Sequence, residues 1–430
     1  MDSSNWNMEN KFEYKYKWEP LVVVALRIIL GLIFIISGFV KAVDIWGVEY
    51  KIEDYLTAFG WSWAMPYTSI VAALLPLSEL LAGVWMILGS FRNFTVIFLT
   101  VIMAFMLPLT GYIAVANPVE DCGCFGDAFT ISNWATFFKN LFISAGLVFL
   151  IKRNKGVPSI FGPAVQWMTV LFPSVYAILI MIYGLNIQPV LDFRPYKVGS
   201  SLCPEENEST EFIFTYEKDG ERRNFDIDNL PDSTWTFIDR TVAEKAKPID
   251  CHKISFFDAG EDISGSIGLD DGDALLMLID DINDINVAYS FQINEFYKKV
   301  SESGFSLICL TGSSDKEIHV WKELSMADYP VYTMDDSELK SIARGNPAIV
   351  WLHDGKIMYK STFGSLEFDE ITANDFDPTD NNGFDFLVFT TLMLLSSLIF
   401  ILLINRSPLL IKLTKQLSKN QNKELPLQKK

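Results

Sequence analysis

Cys122 and Cys124, separated by Gly123, sit in a short polar loop from Asn117 to Thr130 between two long apolar runs. Two thiols within reach of each other, one exposed enough to be attacked, can cycle between dithiol and disulfide. Closing a ring across one residue pushes the bond toward the edge of favourable geometry, so a disulfide here is expected to be strained and easily reduced. Gly123 has no Cβ and permits the tight turn that closure requires. Three readings stay open: a redox-active pair, a static disulfide or unreacted thiols, and metal ligation. The chain has three histidines, none close to the loop in sequence, and no metal site is assigned.

The other three cysteines read differently. Cys309 lies mid-strand among Leu307, Ile308 and Leu310, as a buried inert thiol does. Cys203 and Cys251 both fall in outward-facing polar sequence and are expected either to pair as a structural disulfide or to exchange with Cys122 or Cys124. Three charges fall within apolar segments: Arg27, Lys41 and Glu79. An ionised Glu79 near the middle of a span needs a partner. Arg27 is the nearest by depth, while Lys41, near the outer end of the first span, is read as an interface anchor.

The elements that carry these residues follow from composition. The chain is 50% hydrophobic, yet its net charge is −18, which one uniform domain cannot accommodate. The two properties are segregated. Six runs are long and apolar enough to cross a bilayer: 21–43, 67–90, 94–116, 134–151, 166–185 and 384–404. Lysine and arginine collect before the first, between the second and third, after the fourth and in the tail 405–430, which places both termini in the cytoplasm. Segment 1–20 is then a cytoplasmic N-terminus without a removable signal, and the acidic stretch 187–383 is periplasmic, together with the cysteine loop. Such charge excludes nucleic acid as a partner. Tryptophan and tyrosine near the span ends form an interfacial belt in contact with membrane lipid.

The acidic stretch opens with a hairpin region, 205–240, with Asp219-Gly220 as the turn. Buried strands at 274–279 and 305–310 then alternate with helices at 287–300 and 315–327, a short strand at 331–333 and a short helix at 335–344. Pro347 precedes a last hairpin, 348–361. This order predicts an α/β domain. From 264 to 372 it resembles the thioredoxin fold, and the resemblance makes Pro347 the position of that family's cis-proline. Asp280 to Val287, where the family carries its redox cysteines, has none, so the domain is expected to be redox-inactive.

Ser37-Gly38-Phe39-Val40-Lys41, Glu79-Leu80-Leu81-Ala82-Gly83 and Asp121-Cys122-Gly123-Cys124-Phe125-Gly126-Asp127 resemble the four-helix DoxX-like membrane proteins, the cysteine loop being closest to the MauE branch. The resemblance covers 21–155 and implies disulfide formation or maturation of an exported partner. The chain is thus read as a polytopic inner-membrane protein: a DoxX-like four-helix bundle, two further spans and a thioredoxin-like domain. Two functions compete. One is a thiol-disulfide redox protein acting on exported or periplasmic thiol proteins, with a quinone as electron acceptor. The other is a non-enzymatic envelope scaffold that binds partners. A membrane-impermeant maleimide is expected to reach Cys122 from the outer face of intact cells, and labelling only from the cytosolic side removes the redox reading.

Overall fold

The computed structural model describes residues 18–118, 123–129, 131–154, 157–163, 165–202, 212–218, 221–225, 231, 234–242, 251–252, 254–265, 267, 269, 272–285, 288–366 and 382–423. The chain divides into two compact units, 1–193 with 381–430, and 194–380.

The first unit is helical. Its elements are α1 (Glu19–Val43), α2 (Ile45–Ala58), α3 (Thr68–Leu88), α4 (Arg92–Ala116), α5 (Asn133–Arg153) and α6 (Met168–Asn186). Among the described residues six helices are long and apolar enough to cross a membrane: α1, α3 with the 3-10 turn before it, α4, α5, α6 and the segment Gly383–Asn405. This is a polytopic membrane protein, and its spans turn many large apolar side chains outward, among them Ile28, Leu32, Ile70, Leu74 and Phe105. Trp61, Trp63, Tyr67 and Trp134 are exposed near the span ends.

Small residues set the closest helix pair. A Cβ added to Gly38 of α1 would stand 2.5 Å from the Leu80 amide nitrogen and 2.7 Å from the Pro76 carbonyl of α3. One added to Gly83 would stand 2.7 Å from both the Gly31 carbonyl and the Ile35 nitrogen. Backbones that close have no room for a side chain, and this is how helices gain packing where lipid removes the hydrophobic incentive to associate. The crossing brings Ser37 and Lys41, on the Gly38 face of α1, toward Glu79 of α3.

Helix α2 is a feature that the sequence reading passed over, treating its acidic residues as an outward-facing loop. Asp44 ends α1 and caps α2, its carboxylate accepting from the Gly47 amide at 3.0 Å. Only Ile45 and Val48 of its 14 residues are buried, so it is too short and too polar to span.

The second unit is rich in sheet. Its strands are β1 (Ser201–Leu202), β2 (Phe212–Lys218), β3 (Glu221–Phe225), β4 (Thr236–Val242), β5 (Cys251–His252), β6 (Phe256–Asp258), β7 (Glu261–Asp262), β8 (Asp273–Ile279), β9 (Ser306–Thr311), β10 (Val331–Met334), β11 (Ala348–His353) and β12 (Lys356–Thr362). They form one sheet in the order β5-β1-β12-β11-β8-β9-β10-β6-β7 and a second in the order β3-β2-β4. The central β8, β9 and β10 run parallel, with α7 (Ala288–Glu302) and α8 (Asp315–Ser325) between them in the chain. Helix α9 (Asp336–Ile342) leads from β10 toward the antiparallel pair β11 and β12.

Ala274 to Ile279 is buried throughout. Leu276 and Leu278 belong to one hydrophobic core and Leu275 and Met277 to the other, which is why this strand reads as an unbroken apolar run. Ser314 opens α8, its amide and hydroxyl both donating to Glu317 at 2.8 and 2.7 Å. Asp335 caps α9 by accepting from the Ser337 and Glu338 amides. The expected Asp219-Gly220 turn lies outside the described residues, although the strands on either side of it pair in register. The chain then re-enters the first unit through α10 (Asn382–Lys423).

Gly38→Ala is expected to destabilise the helical unit by about 1–3 kcal/mol, because the new methyl meets backbone that cannot rotate away. Thermal unfolding of the detergent-solubilised protein checks this, and an unchanged midpoint contradicts the close crossing.

Candidate functional site

Glu79 has a buried partner, and it is not Arg27. Lys41 Nζ donates to both carboxylate oxygens, at 2.7 and 2.9 Å, with both side chains almost fully enclosed. The expectation of an Arg27 to Glu79 tie is corrected here. Arg27 Nε donates to the Met86 carbonyl at 3.0 Å and its NH2 to the Ile87 carbonyl at 3.4 Å, capping the end of α3. Gly89, at φ +70°, leaves room for that guanidinium. The reason is axial register. Arg27 and Lys41 lie on the same face of α1, but α3 runs past that face so that its C-terminal carbonyls meet the first and its mid-helix carboxylate the second. Lys41 is thus half of a buried pair rather than a side chain reaching for the interface.

Ser37 joins this pair to the cysteine loop. Its hydroxyl lies 2.8 Å from Glu79 Oε2 and 2.8 Å from the Cys124 carbonyl oxygen. The loop is held elsewhere as well. Asn133 Nδ2 donates to Asn117 Oδ1 at 2.8 Å, closing its base. The Gly126 amide donates to the Gly123 carbonyl at 3.1 Å, folding Gly123 to Gly126 into a turn. Gly123 and Gly126 both have positive φ, at 61° and 52°. Over Gly123 passes the stem of Lys51 from α2, with Cγ 2.6 Å from where a Cβ would stand. Over the Phe125 ring, 4.4 Å from its centroid, stands Lys139 Nζ from α5. Beside the loop an apolar groove of 490 Å³ is lined by Ile33, Ile36, Phe125, Ala128, Phe129 and Ile131.

Cys124 is partly accessible. Cys122 lies outside the described residues, as does Cys203, and of Cys251 only the backbone in β5 is described. Cys309 is a fully buried thiol in β9, and burial pushes its pKa up, which keeps it protonated and unreactive. The peptide bond between Asn346 and Pro347 is cis.

Residues 19–152 match the family described as methylamine utilisation protein MauE. This region is a MauE family domain. It contains the whole cluster just described, from Arg27 on α1 to Lys139 on α5. Residues 210–243, the three-stranded sheet, match a domain of unknown function (DUF8463). No curated protein and no solved structure matches the chain.

Within the MauE domain, reading the sequence missed Lys51 and Lys139 altogether and singled out Ser37 only as part of a motif. A signal for the true partner of Glu79 was present: Gly38 is adjacent to Ser37, and Gly83 lies one turn after Glu79. Small residues so placed mark the faces where two helix backbones touch.

Glu79→Ala is expected to strand the Lys41 ammonium in a buried site at a cost of about 3–5 kcal/mol. The double variant Lys41→Met with Glu79→Leu is expected to recover most of that loss. Thermal unfolding in detergent reads both, and a double variant as unstable as the single one rules out an uncompensated charge as the cause.

Proposed function

We propose that the chain is an inner-membrane thiol-disulfide redox protein, in which the loop of Cys122 and Cys124 supports oxidation or maturation of exported proteins. The observation that carries this reading is the seat of the loop. The Cys124 carbonyl is tied through Ser37 to an ion pair buried between two helices, so the sulfur-bearing turn is held against the bundle instead of trailing from it. Both termini are cytoplasmic in this reading, and the loop and the second unit are periplasmic, where disulfides persist.

The chemistry balances in two steps. A substrate dithiol reduces the loop disulfide, so that two electrons and two protons pass to Cys122 and Cys124. The loop dithiol then passes the same two electrons and two protons to an acceptor and returns to disulfide. The acceptor class is a quinone, which carries that stoichiometry and dissolves in lipid. The apolar groove beside Phe125 suits its tail.

The second unit is read as a thioredoxin-like module. Three parallel strands continuing into an antiparallel hairpin support this, as does a cis-proline just before that hairpin. Where such a module would carry its thiols, Asp280 to Val287 has no cysteine, so its contribution is binding and not electron transfer. That same absence favours a second reading, in which the membrane domain anchors a partner-binding scaffold and the loop is structural.

Trapping thiols with a mass-shifting reagent in intact membranes, with and without reductant, separates the two. The redox reading expects Cys124 to change oxidation state and Cys122→Ser to accumulate a mixed disulfide. A Cys124 that never changes state, with no mixed disulfide in the variant, leaves the scaffold.

A further inference from the structure

The turn that bears Cys124 rests on α1 and leads into α5. A Cβ added to Gly126 would stand 3.7 Å from Val40 Cγ1 of α1. Further in, α5 packs on the same helix, where a Cβ added to Gly146 would stand 3.1 Å from Leu30 Cδ1. Lys139 precedes Gly146 by about two helical turns and so lies on the same side of α5, toward α1. About two turns along α1 from Leu30, in the direction of the loop, comes Ser37, next to the groove residue Ile36. Lys139 is half-buried, and its Nζ stands 4.4 Å from the centroid of the Phe125 ring. That ring also lines the groove, so cation and groove share a wall.

Depth and charge say what fits there. Lys139 is six residues inside α5, about 9 Å from the helix start. An ionisable side chain that deep in a span is rare and marks a ligand or ion pathway more often than a structural contact. The other charges nearby are Lys51 over Gly123, the Lys41 to Glu79 pair, Asp127 in the turn, and Glu120 and Asp121, which precede the turn and lie outside the described residues. An ammonium has three N–H donors, so contact with one ring does not by itself use it up. Ile36 is 45% exposed, which opens the groove sideways toward lipid. All the groove walls are apolar side chains, so the occupant is an alkyl or isoprenoid chain, and a head that reaches Lys139 must offer acceptor oxygens. A charged phosphate resists leaving water to that depth, whereas a neutral quinone head does not.

We propose that Lys139 and Phe125 form the head site of a lipid quinone whose chain lies in the groove, the ammonium donating a hydrogen bond to one quinone carbonyl oxygen. The site deepens the redox reading above and rests on it for its electrons. The dithiol of Cys122 and Cys124 gives up two electrons and two protons, its sulfurs form a disulfide, and the two carbonyl oxygens of the quinone become hydroxyls. Negative charge gathers on those oxygens as the electrons arrive, and a fixed ammonium beside one of them stabilises it. Because Phe125 follows Cys124 directly, a head against its ring lies one residue from a thiol-bearing position. Binding is measurable whether or not the loop turns over.

The test is saturable binding to the full chain in phosphatidylcholine nanodiscs, corrected for empty discs, of three probes: decylubiquinone, a decyl-substituted naphthoquinone, and decylbenzene, which has the chain without the carbonyl oxygens. Lys139→Met is expected to weaken binding of at least one quinone by about five- to thirtyfold and to leave decylbenzene unchanged. Lys139→Arg, which keeps a cationic donor, is expected to follow the wild type, and Ile36→Trp, which fills the groove, to weaken all three probes. Glu120→Gln with Asp121→Asn is expected to bind as the wild type does. Lys139→Met binding both quinones like the wild type overturns the proposal. So does a loss in the Glu120 and Asp121 variant as large as that in Lys139→Met, which would move the site to those carboxylates. Displacement of quinone by added phosphatidylglycerol in the wild type but not in Lys139→Met overturns it too, because the cation would then belong to a lipid phosphate. If Lys139→Met does not accumulate in the membrane, a wild type with no preference for quinone over decylbenzene overturns it equally. Thiol trapping that succeeds beside Lys139-independent binding removes the site and leaves the redox reading, and failed trapping beside Lys139-dependent binding does the reverse.

Discussion

A carboxylate and an ammonium buried between two membrane helices are tolerable only together, and the Lys41 to Glu79 pair is the constraint around which the helical unit is organised. Neither charge could stay there alone without a cost of several kcal/mol. The pair forms because Gly31, Gly38 and Gly83 let two backbones touch, which sets the separation of the two side chains. Packing therefore comes first and electrostatics second. Widening the crossing by one methyl would stretch every contact that Glu79 makes.

From that pair the order extends outward through Ser37 to the loop, and the loop is then gripped from α2 and α5. The MauE domain thus carries a continuous chain of polar contacts from its interior to the turn that bears Cys124. Polar contacts inside a membrane domain are costly unless satisfied, and this contiguous set ends at the backbone carbonyl of Cys124. The second unit is built on another principle, with a central strand buried on both faces and helices between parallel neighbours. Its one described thiol, Cys309, is sealed inside.

Spans and buried strands were legible in the sequence because each is set by local pattern. The six apolar runs match the observed helices within a few residues at most of their ends, and Ala274 to Ile279 is an unbroken apolar strand as read. The site was less legible, because it depends on which helix faces touch. Depth guessed from the sequence suggested Arg27 for Glu79, whereas the axial register of the α1–α3 crossing, set where Gly31, Gly38 and Gly83 touch the facing backbone, selects Lys41, and that register is a tertiary property. Helix α2 was passed over for a related reason. Its charges resemble a solvated loop until the Asp44 cap is seen, and Lys51 could not be placed over Gly123 without it.

The hydroxyl of Ser37 carries a single hydrogen, yet two oxygens lie 2.8 Å from it. Both cannot be served fully at once. Should the turn lift away to meet another protein, the hydroxyl would still be satisfied by Glu79, and no orphaned donor would remain in the interior. The Cys124 carbonyl, leaving for water, would be satisfied as well. This one contact is therefore cheap to break, though the charges beneath it are costly to separate.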